Sequence, residues 1–207
     1  MLKKIMALTI ICWINLQISA VDKEIKNIEN AKEAQTISYY NDNAQTWIDT
    51  YGANIEQSYW IEEINIFKKY IPTGSVLEIG VGGAGEAAEF IKNDYIYTGI
   101  DAAANFIAIA QKRFPTATFF HKNIFDLDAS DGIFDSFWCA AILLHIPLDK
   151  IDTALQKIKA VMKPGAIGFI SLAQGHGEYF NDEQTGRYFY LYEQDEFINI
   201  LHGNLPY

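Results

Sequence analysis

Residues 76–85 read Val-Leu-Glu-Ile-Gly-Val-Gly-Gly-Ala-Gly, an apolar run that leads into a glycine-rich turn. Helical spacing follows at 86–93, so the stretch predicts a buried strand, a tight loop and a helix. Gly80, Gly82 and Gly85 satisfy the pattern G-x-G-x-x-G, which is typical of nucleotide cofactor sites between a strand and a helix. This pattern is common, so the surrounding chain has to specify the ligand.

Four further apolar runs follow the loop, at 95–100, 116–120, 134–141 and 166–172. Amphipathic segments lie between them, at 103–113 and 148–162. Strands that alternate with helices form a mainly parallel sheet, which binds ligands at the carboxyl ends of its strands. We therefore predict an α/β fold: a Rossmann-like, doubly wound, mostly parallel sheet with helices on both faces.

The composition is that of a folded globular domain with an acidic excess. The chain has 207 residues, half of them hydrophobic, and its formal net charge is −10. This length suits one domain with a sizeable core. Because binding to a phosphate backbone requires a basic surface, we expect no nucleic acid partner and favour a small-molecule substrate.

The N-terminus has the three-part layout of a secretory signal peptide. Lys3 and Lys4 precede an apolar run at 5–16, and Ile18-Ser19-Ala20 ends the segment. We predict a signal peptide over 1–20, which indicates export, either to the periplasm or out of the cell. An uncleaved membrane anchor and an ordinary buried helix of a cytoplasmic protein stay open as alternatives.

The rest of the chain divides into a connector and a domain. Residues 21–35 are charged and predict a linker or a solvated helix, and residues 36–207 form the main domain. Once the leader is removed, we expect no stable membrane span.

Acidic side chains surround the glycine loop and favour a cationic ligand. Glu78 closes the first strand, and Glu86 and Glu89 occupy the first turns of the next helix. A dinucleotide pyrophosphate on that helix N-terminus would meet three carboxylates, which is unfavourable. A ligand with a cationic amino-acid end and no phosphate fits better, and S-adenosylmethionine is such a ligand.

Two more residues follow the ends of predicted strands. Asp101 closes the second strand, where its carboxylate can bind both ribose hydroxyls of a cofactor or cap the next helix. Asn123 follows the third strand, where it can bind the adenine amino group while Ile124 packs on the ring. The alternative for Asn123 is a hydrogen bond to its own loop backbone.

Together these motifs resemble the class I S-adenosylmethionine-dependent methyltransferase family. The resemblance covers about 36 to the end of the chain and rests on 76–85, Asp101, Leu144-His145-Ile146-Pro147 and Met162-Lys163-Pro164-Gly165. It implies that the cofactor S-adenosylmethionine is held by Glu78, Gly80, Val81, Gly82, Asp101, Ala102, Asn123 and Ile124. The chain departs from the family at Ala84, where the loop usually has glycine, and at Asn123, which is usually Asp.

The acceptor side is less defined, because methyl transfer mainly requires two reactants to be positioned away from water. His145 follows the fourth strand and is a candidate catalytic base or a structural residue of the loop. The polar segment 174–179 predicts either a lid over the acceptor or a mobile surface loop. The candidate substrate residues associated with this lid are His176, Glu178, Arg187 and Tyr188.

No metal site is expected. The four histidines have no metal-ligand spacing, and Cys139 lies in an apolar run, so we interpret it as a core residue.

The resemblance implies seven strands, the last two forming an antiparallel hairpin beside the fifth. We count five strands and predict that this C-terminal hairpin is lacking, so that the domain is short at its C-terminal end. The fifth strand would then be an exposed edge, which a second copy of the chain could cover in a homodimer.

The leading functional hypothesis is a methyltransferase that uses S-adenosylmethionine and acts on a small-molecule acceptor. A degenerate, non-catalytic methyltransferase-like binding domain is the first alternative, and an NAD(P)-binding reductase is the second.

Overall fold

The computed structural model describes residues 30–51, 59–181 and 185–205. The predicted signal peptide at 1–20 lies outside the described residues, as does the part of the predicted linker at 21–29. No helix in the described ranges is long and apolar enough to cross a membrane.

Helices and strands alternate along most of the described chain. The helices are α1 (30–42), α2 (Ala44–Tyr51), α3 (Ile61–Tyr70), α4 (Gly85–Lys92), α5 (Ala104–Arg113), α6 (Leu148–Ala160) and α7 (Gln194–Asn204). The strands are β1 (Ser75–Ile79), β2 (Ile96–Asp101), β3 (Thr118–His121), β4 (Phe134–Ala140), β5 (Met162–Ser171), β6 (Gly177–Asn181) and β7 (Arg187–Leu191).

The first five strands form one sheet in the order β3-β2-β1-β4-β5. Every neighbouring pair in this sheet is parallel. The order reverses direction between β1 and β4, which is the switch point where α/β sheets bind ligands. The predicted fold class is confirmed.

Both faces of the sheet are covered by other elements. Successive residues of the central strands therefore pack in different core clusters. Leu77 and Ile79 of β1 pack in the cluster that includes α6, α7 and β7. Val76 packs in the opposite cluster, with α3, α4 and α5. Cys139 and Trp138 divide in the same way, and the interpretation of Cys139 as a core residue is confirmed by its complete burial.

A separate antiparallel hairpin corrects the prediction for the C-terminal part. β6 and β7 pair from Gly177↔Leu191 to Asn181↔Arg187 and form a sheet of their own. The main sheet does end at β5 in the described chain, as expected, but residues 177–181 are strand rather than loop. Because β6 is short and polar at both ends, it lacks the alternating pattern that predicts a strand.

Helices α1 and α2 lie against the ligand-binding edge of the sheet. Ala44 and Ile48 of α2 pack on residues at the start of α5. The Asn105 backbone N–H donates to Asn41 Oδ1 at 3.0 Å, and Asn105 Nδ2 donates to the Asn41 carbonyl at 2.7 Å. On the other side, the Tyr188 backbone N–H donates to Thr36 Oγ1 at 2.9 Å. The helix α1 therefore connects α5 with the hairpin.

Candidate functional site

A cavity of about 640 Å³ opens at the carboxyl ends of β1, β2 and β4, a size that suits a small-molecule site. One part of its lining, the glycine-loop half, consists of Glu78, Gly80, Val81, Gly82, Asp101, Ala102, Asn123 and Ile124. The structure thus brings together all eight residues that the sequence analysis assigned to the cofactor. A second part, the aromatic half, consists of Tyr40, Trp47, Trp60, Phe106 and Phe189. His145 and Arg187 also line the cavity.

The glycine loop is a tight turn against the neighbouring strands. The backbone N–H groups of Gly80 and Val81 both donate to the Ile100 carbonyl, at 2.8 and 3.2 Å. Gly80 has a φ of +85°, and a Cβ atom at this position would overlap the side chain of Ile142. The φ angle favours glycine at Gly80, and a side chain there would also have to displace Ile142.

Ala84 shows the consequence of the departure from the family pattern. Its φ of +57° lies in the left-handed region, which costs a residue with a Cβ atom roughly 1 kcal/mol. The side chain is fully buried, so the position is held by the packing around it. The loop therefore carries local backbone strain immediately before α4 begins.

Glu78 is a buried carboxyl group at the end of β1. It is 1% exposed and accepts a hydrogen bond from the Tyr97 hydroxyl. Burial, reinforced by the nearby carboxylates of Glu86 and Asp101, raises the pKa of Glu78 well above its usual value. A cationic group in the cavity would relieve this cost, whereas a phosphate would increase it.

Asp101 links the glycine loop to the start of α5. Its Oδ2 accepts from the Gly82 backbone N–H at 3.0 Å, and its Oδ1 accepts from the Ala103 N–H at 2.7 Å. Burial raises the pKa of Asp101, while these two N–H groups act in the opposite direction. Because each carboxylate oxygen has more than one acceptor position, these bonds still leave room for two ligand hydroxyl groups.

Asn123 is held by protein partners on both sides of its amide. Its Oδ1 accepts from the Phe125 backbone N–H at 3.1 Å, and its Nδ2 donates to Glu33 Oε1 at 2.7 Å. Glu33 also forms an ion pair with Lys150 at 3.2 Å. The local backbone bond that the sequence analysis left open as an alternative is therefore present. Glu33, which lies 90 positions from Asn123, was missed because sequence patterns carry no signal for such a distant contact.

His145 is the centre of a hydrogen-bonded chain. Its Nδ1 lies 2.7 Å from the Tyr188 carbonyl, which can only accept, so we assign the ring proton to Nδ1. The Tyr40 hydroxyl then donates to Nε2 at 2.9 Å, and Arg187 Nη1 donates to the Tyr40 oxygen at 3.0 Å. Burial, together with the positive charge of Arg187, lowers the pKa of His145 to about 4. The imidazole is therefore neutral at neutral pH.

Three of the four predicted substrate residues do not line the cavity. Tyr188 is fully buried and donates a hydrogen bond to Glu178 at 3.3 Å, while Glu178 forms an ion pair with Lys32 at 3.0 Å. His176 is exposed and lies 3.1 Å from a carboxylate oxygen of Glu193. Successive side chains of a strand point to opposite faces, so β7 presents Arg187 to the cavity and Tyr188 to the core. In the predicted lid segment, residues 177–179 belong to β6, and a lid over the acceptor stays a prediction.

The search for metal ligands among the described residues finds no group of three or more His, Cys, Asp or Glu side chains that could hold an ion. The groups that line the cavity include carboxylates, aromatic side chains, His145 and Arg187.

Comparison with protein-family models gives one match, over residues 76–165, to a family described as "Methyltransferase domain". These residues extend from the first strand through the glycine loop to β5, and so include the glycine-loop half of the cavity. Comparison with curated protein sequences gives no match.

Solved structures share the fold at low sequence identity. The Burkholderia thailandensis 1,6-didemethyltoxoflavin-N1-methyltransferase with bound 1,6-didemethyltoxoflavin and S-adenosylhomocysteine is 20% identical, with a TM-score of 0.67 over 85% of this chain and 78% of that one. The DhpI–SAH complex is also 20% identical, with a TM-score of 0.64 over 83% and 86%. The [4+2]-cyclase SpnF is 20% identical, with a TM-score of 0.55 over 69% and 55%. At these identities the likeness concerns the fold.

Proposed function

We propose that the chain is a member of the class I S-adenosylmethionine-dependent methyltransferase family and that it transfers a methyl group to a small molecule bound in the aromatic half of the cavity. The observation that carries the proposal is the continuity of one cavity, in which the buried Glu78 and the half-buried Asp101 face the same space as the aromatic side chains. Such a space accommodates a polar donor and a largely apolar acceptor side by side.

S-adenosylmethionine is the cofactor, and when bound it supplies a methyl group on a positively charged sulfonium. The residues present fit this ligand. The buried carboxyl group of Glu78 would hold the cationic amino group, and Asp101 would bind the ribose hydroxyls. We propose that Asn123 and Ile124 border the adenine, with Asn123 held in place by Glu33.

The protein's own contribution is to position the acceptor and to exclude water. The aromatic half supplies flat apolar surfaces for this purpose. We propose that His145 is a positioning residue, because a neutral imidazole with both nitrogens engaged holds the Tyr40 hydroxyl in place. Acting directly as a base would require His145 to lose that contact.

Calorimetric titration with S-adenosylhomocysteine tests the proposed cofactor site. We expect the wild-type protein to bind, and Asp101→Asn to bind at least about tenfold more weakly, because the neutral amide offers fewer acceptor positions. The matched control is Asp195→Asn, at an exposed acid of α7 outside the cavity, which should leave the affinity unchanged. Absence of binding by the wild-type protein contradicts the proposal.

A second candidate function is binding without methyl transfer, as in a degenerate member of the family. The left-handed conformation of Ala84 within the glycine loop favours it. Mass spectrometry of a panel of small acceptors incubated with the protein and S-adenosylmethionine distinguishes the two. A methylated product excludes the degenerate domain, whereas cofactor binding without any product supports it. The NAD(P)-binding reductase is disfavoured, since its pyrophosphate would meet Glu78 and Glu86.

We also propose that two copies associate through β5 and that nucleic acid is not a partner. In the described chain, β5 pairs with β4 alone, so its other edge offers unpaired backbone groups. Sedimentation velocity at increasing concentration should show a dimer, and Ala166→Lys, which adds a charge to this strand, should weaken it. A monomer at every concentration contradicts the association.

The net charge of −10 argues against nucleic acid as a partner of this protein, because binding to a phosphate backbone requires a basic surface.

A further inference from the structure

Arg187 is a positive charge of the cavity that lacks a carboxylate partner in the described part of the chain. The ion pairs found there at 4.0 Å or less involve other residues. Lys122, the other cation that lines the cavity, is paired with Asp131. In a protein with a net charge of −10, a cavity cation that no described carboxylate pairs with indicates a site for an anionic ligand.

Aromatic rings surround the Arg187 guanidinium. Its central carbon lies 4.9 Å from the ring centre of Tyr39, 5.4 Å from Tyr40, 5.9 Å from Trp47 and 5.1 Å from Phe189. These contacts stabilise the cation but do not neutralise it. They also displace water, which strengthens the attraction between the guanidinium and an anion in the cavity.

Some N–H groups of the guanidinium are available to donate hydrogen bonds to a ligand. Its Nε–H donates to Thr185 Oγ1 at 3.1 Å, and Nη1 donates to Tyr40 Oη at 3.0 Å. Of about five N–H donors in an arginine, two are therefore used, and those that remain are on Nη1 and Nη2. This arrangement suits a forked contact with two oxygens of one anionic group.

We propose that Arg187 binds the anionic group of the methyl acceptor, so that the acceptor is a small planar organic oxyanion carrying a carboxylate or a phosphonate. The planar body would lie against the side chains of the aromatic half, and the oxyanion would meet the guanidinium. This inference rests on the proposed function, because it assigns the acceptor class of the same cavity.

A matched set of probes tests the inference by calorimetry, with the protein saturated by S-adenosylhomocysteine. The probes are 4-hydroxybenzoate, 4-hydroxyphenylphosphonate and the neutral 4-hydroxybenzamide, which share one ring and one hydroxyl group. We expect the wild-type protein to bind at least one of the two anions at least about tenfold more tightly than the amide. The relative affinities of the carboxylate and the phosphonate identify the oxyanion.

Two variants separate anion binding from a purely structural role of Arg187. Arg187→Met removes the charge and should bring the affinities for anion and amide together, whereas Arg187→Lys should keep part of the preference. The control Lys112→Met removes an exposed charge at the far end of α5 and should leave the preference intact. A purely structural arginine would lower the melting temperature and weaken all probes by the same factor.

The inference is overturned if neither anion binds the wild-type protein more tightly than the amide, a result that does not depend on the folding of any variant. It is also overturned if a folded Arg187→Met retains the full preference. Failure of the proposed function gives a different result, because S-adenosylhomocysteine then does not bind, or it binds and no acceptor is methylated. Titration of the same probes without it would still report on Arg187.

Discussion

At the scale of single residues, Gly80 combines a left-handed backbone with a close contact to Ile142, which a side chain would have to displace. Gly80→Ala should lower the free energy of unfolding by about 2 to 3 kcal/mol, because the new methyl group overlaps Ile142 and the φ angle penalises a Cβ atom. Urea unfolding measures the change. The control is Gly203→Ala in α7, where a Cβ atom meets nothing and alanine should stabilise the helix by about 0.5 to 1 kcal/mol.

The half-buried His145 makes the stability of the protein depend on pH. Burial lowers the pKa of His145 to about 4, below that of an exposed histidine. Between these values the unfolded chain binds a proton that the folded protein does not, so stability is lost as the pH falls from about 6.5 towards about 4. The loss attributable to this residue is at most about 3 kcal/mol.

Urea unfolding of His145→Gln at about pH 7 and about pH 4.5 tests this prediction. The glutamine cannot take up a proton, so the difference in free energy between the wild-type protein and the variant should be larger at the higher pH. His176→Gln is the control, since the His176 side chain is 89% exposed. Equal pH dependence in the wild-type protein and His145→Gln would contradict the assignment.

The residues at strand ends were predictable, and those contributed by other segments were not. Glu78 and Asp101 follow apolar runs, and parallel strands bring their carboxyl ends to one edge, so local patterns place both residues in the site. Tyr40 meets His145 across 105 positions, a contact that no local pattern contains. Arg187 was identified as a substrate candidate, but the rings around it follow only from the packing of α1 and α2 against β7.

At the scale of secondary-structure elements, α1 is fixed to the hairpin by a buried threonine. Thr36 is 4% exposed, donates to the Lys32 carbonyl at 2.9 Å and accepts from the Tyr188 N–H at 2.9 Å. Thr36→Val keeps the shape but leaves that N–H without its partner. We expect a loss of about 1 to 3 kcal/mol in the free energy of unfolding.

Thr50→Val provides the matched control for this substitution. The Thr50 hydroxyl likewise donates to a carbonyl four residues earlier, that of Thr46, at 2.7 Å, but Thr50 is exposed. Its replacement should change stability by less than about 0.5 kcal/mol. If both variants lose the same free energy of unfolding in urea, the hydrogen bond between α1 and β7 makes no specific contribution to stability.

The two antiparallel strands show why one element of the fold escaped prediction. The alternation in β7, Arg-Tyr-Phe-Tyr-Leu, is a strand pattern, but a single short strand does not specify its partner. The partner β6 begins at Gly177, whose φ of +76° fits a turn as well as a strand end. The pairing is set by the tertiary packing of Tyr188, Tyr190 and Tyr192 into the core.

At the scale of the whole molecule, a signal-like leader precedes a domain whose proposed cofactor is a cytosolic metabolite. We propose that the leader is cleaved after Ala20, so that the exported protein begins at Val21. N-terminal sequencing of the protein from its native cells measures this directly. An intact Met1 would contradict cleavage and would leave the uncleaved anchor and the buried helix as the alternatives.

Helix α1 gives the two halves of the cavity a common wall. Its Glu33 holds Asn123 in the glycine-loop half, and its Tyr40 contacts His145 and Arg187 in the other part of the cavity. When a ligand in one half binds, it reduces the motion of this helix. A ligand in the other half then binds with a smaller loss of the helix's conformational entropy. Donor and acceptor should therefore bind with positive cooperativity, and thermodynamic linkage requires each to raise the affinity of the other by the same factor.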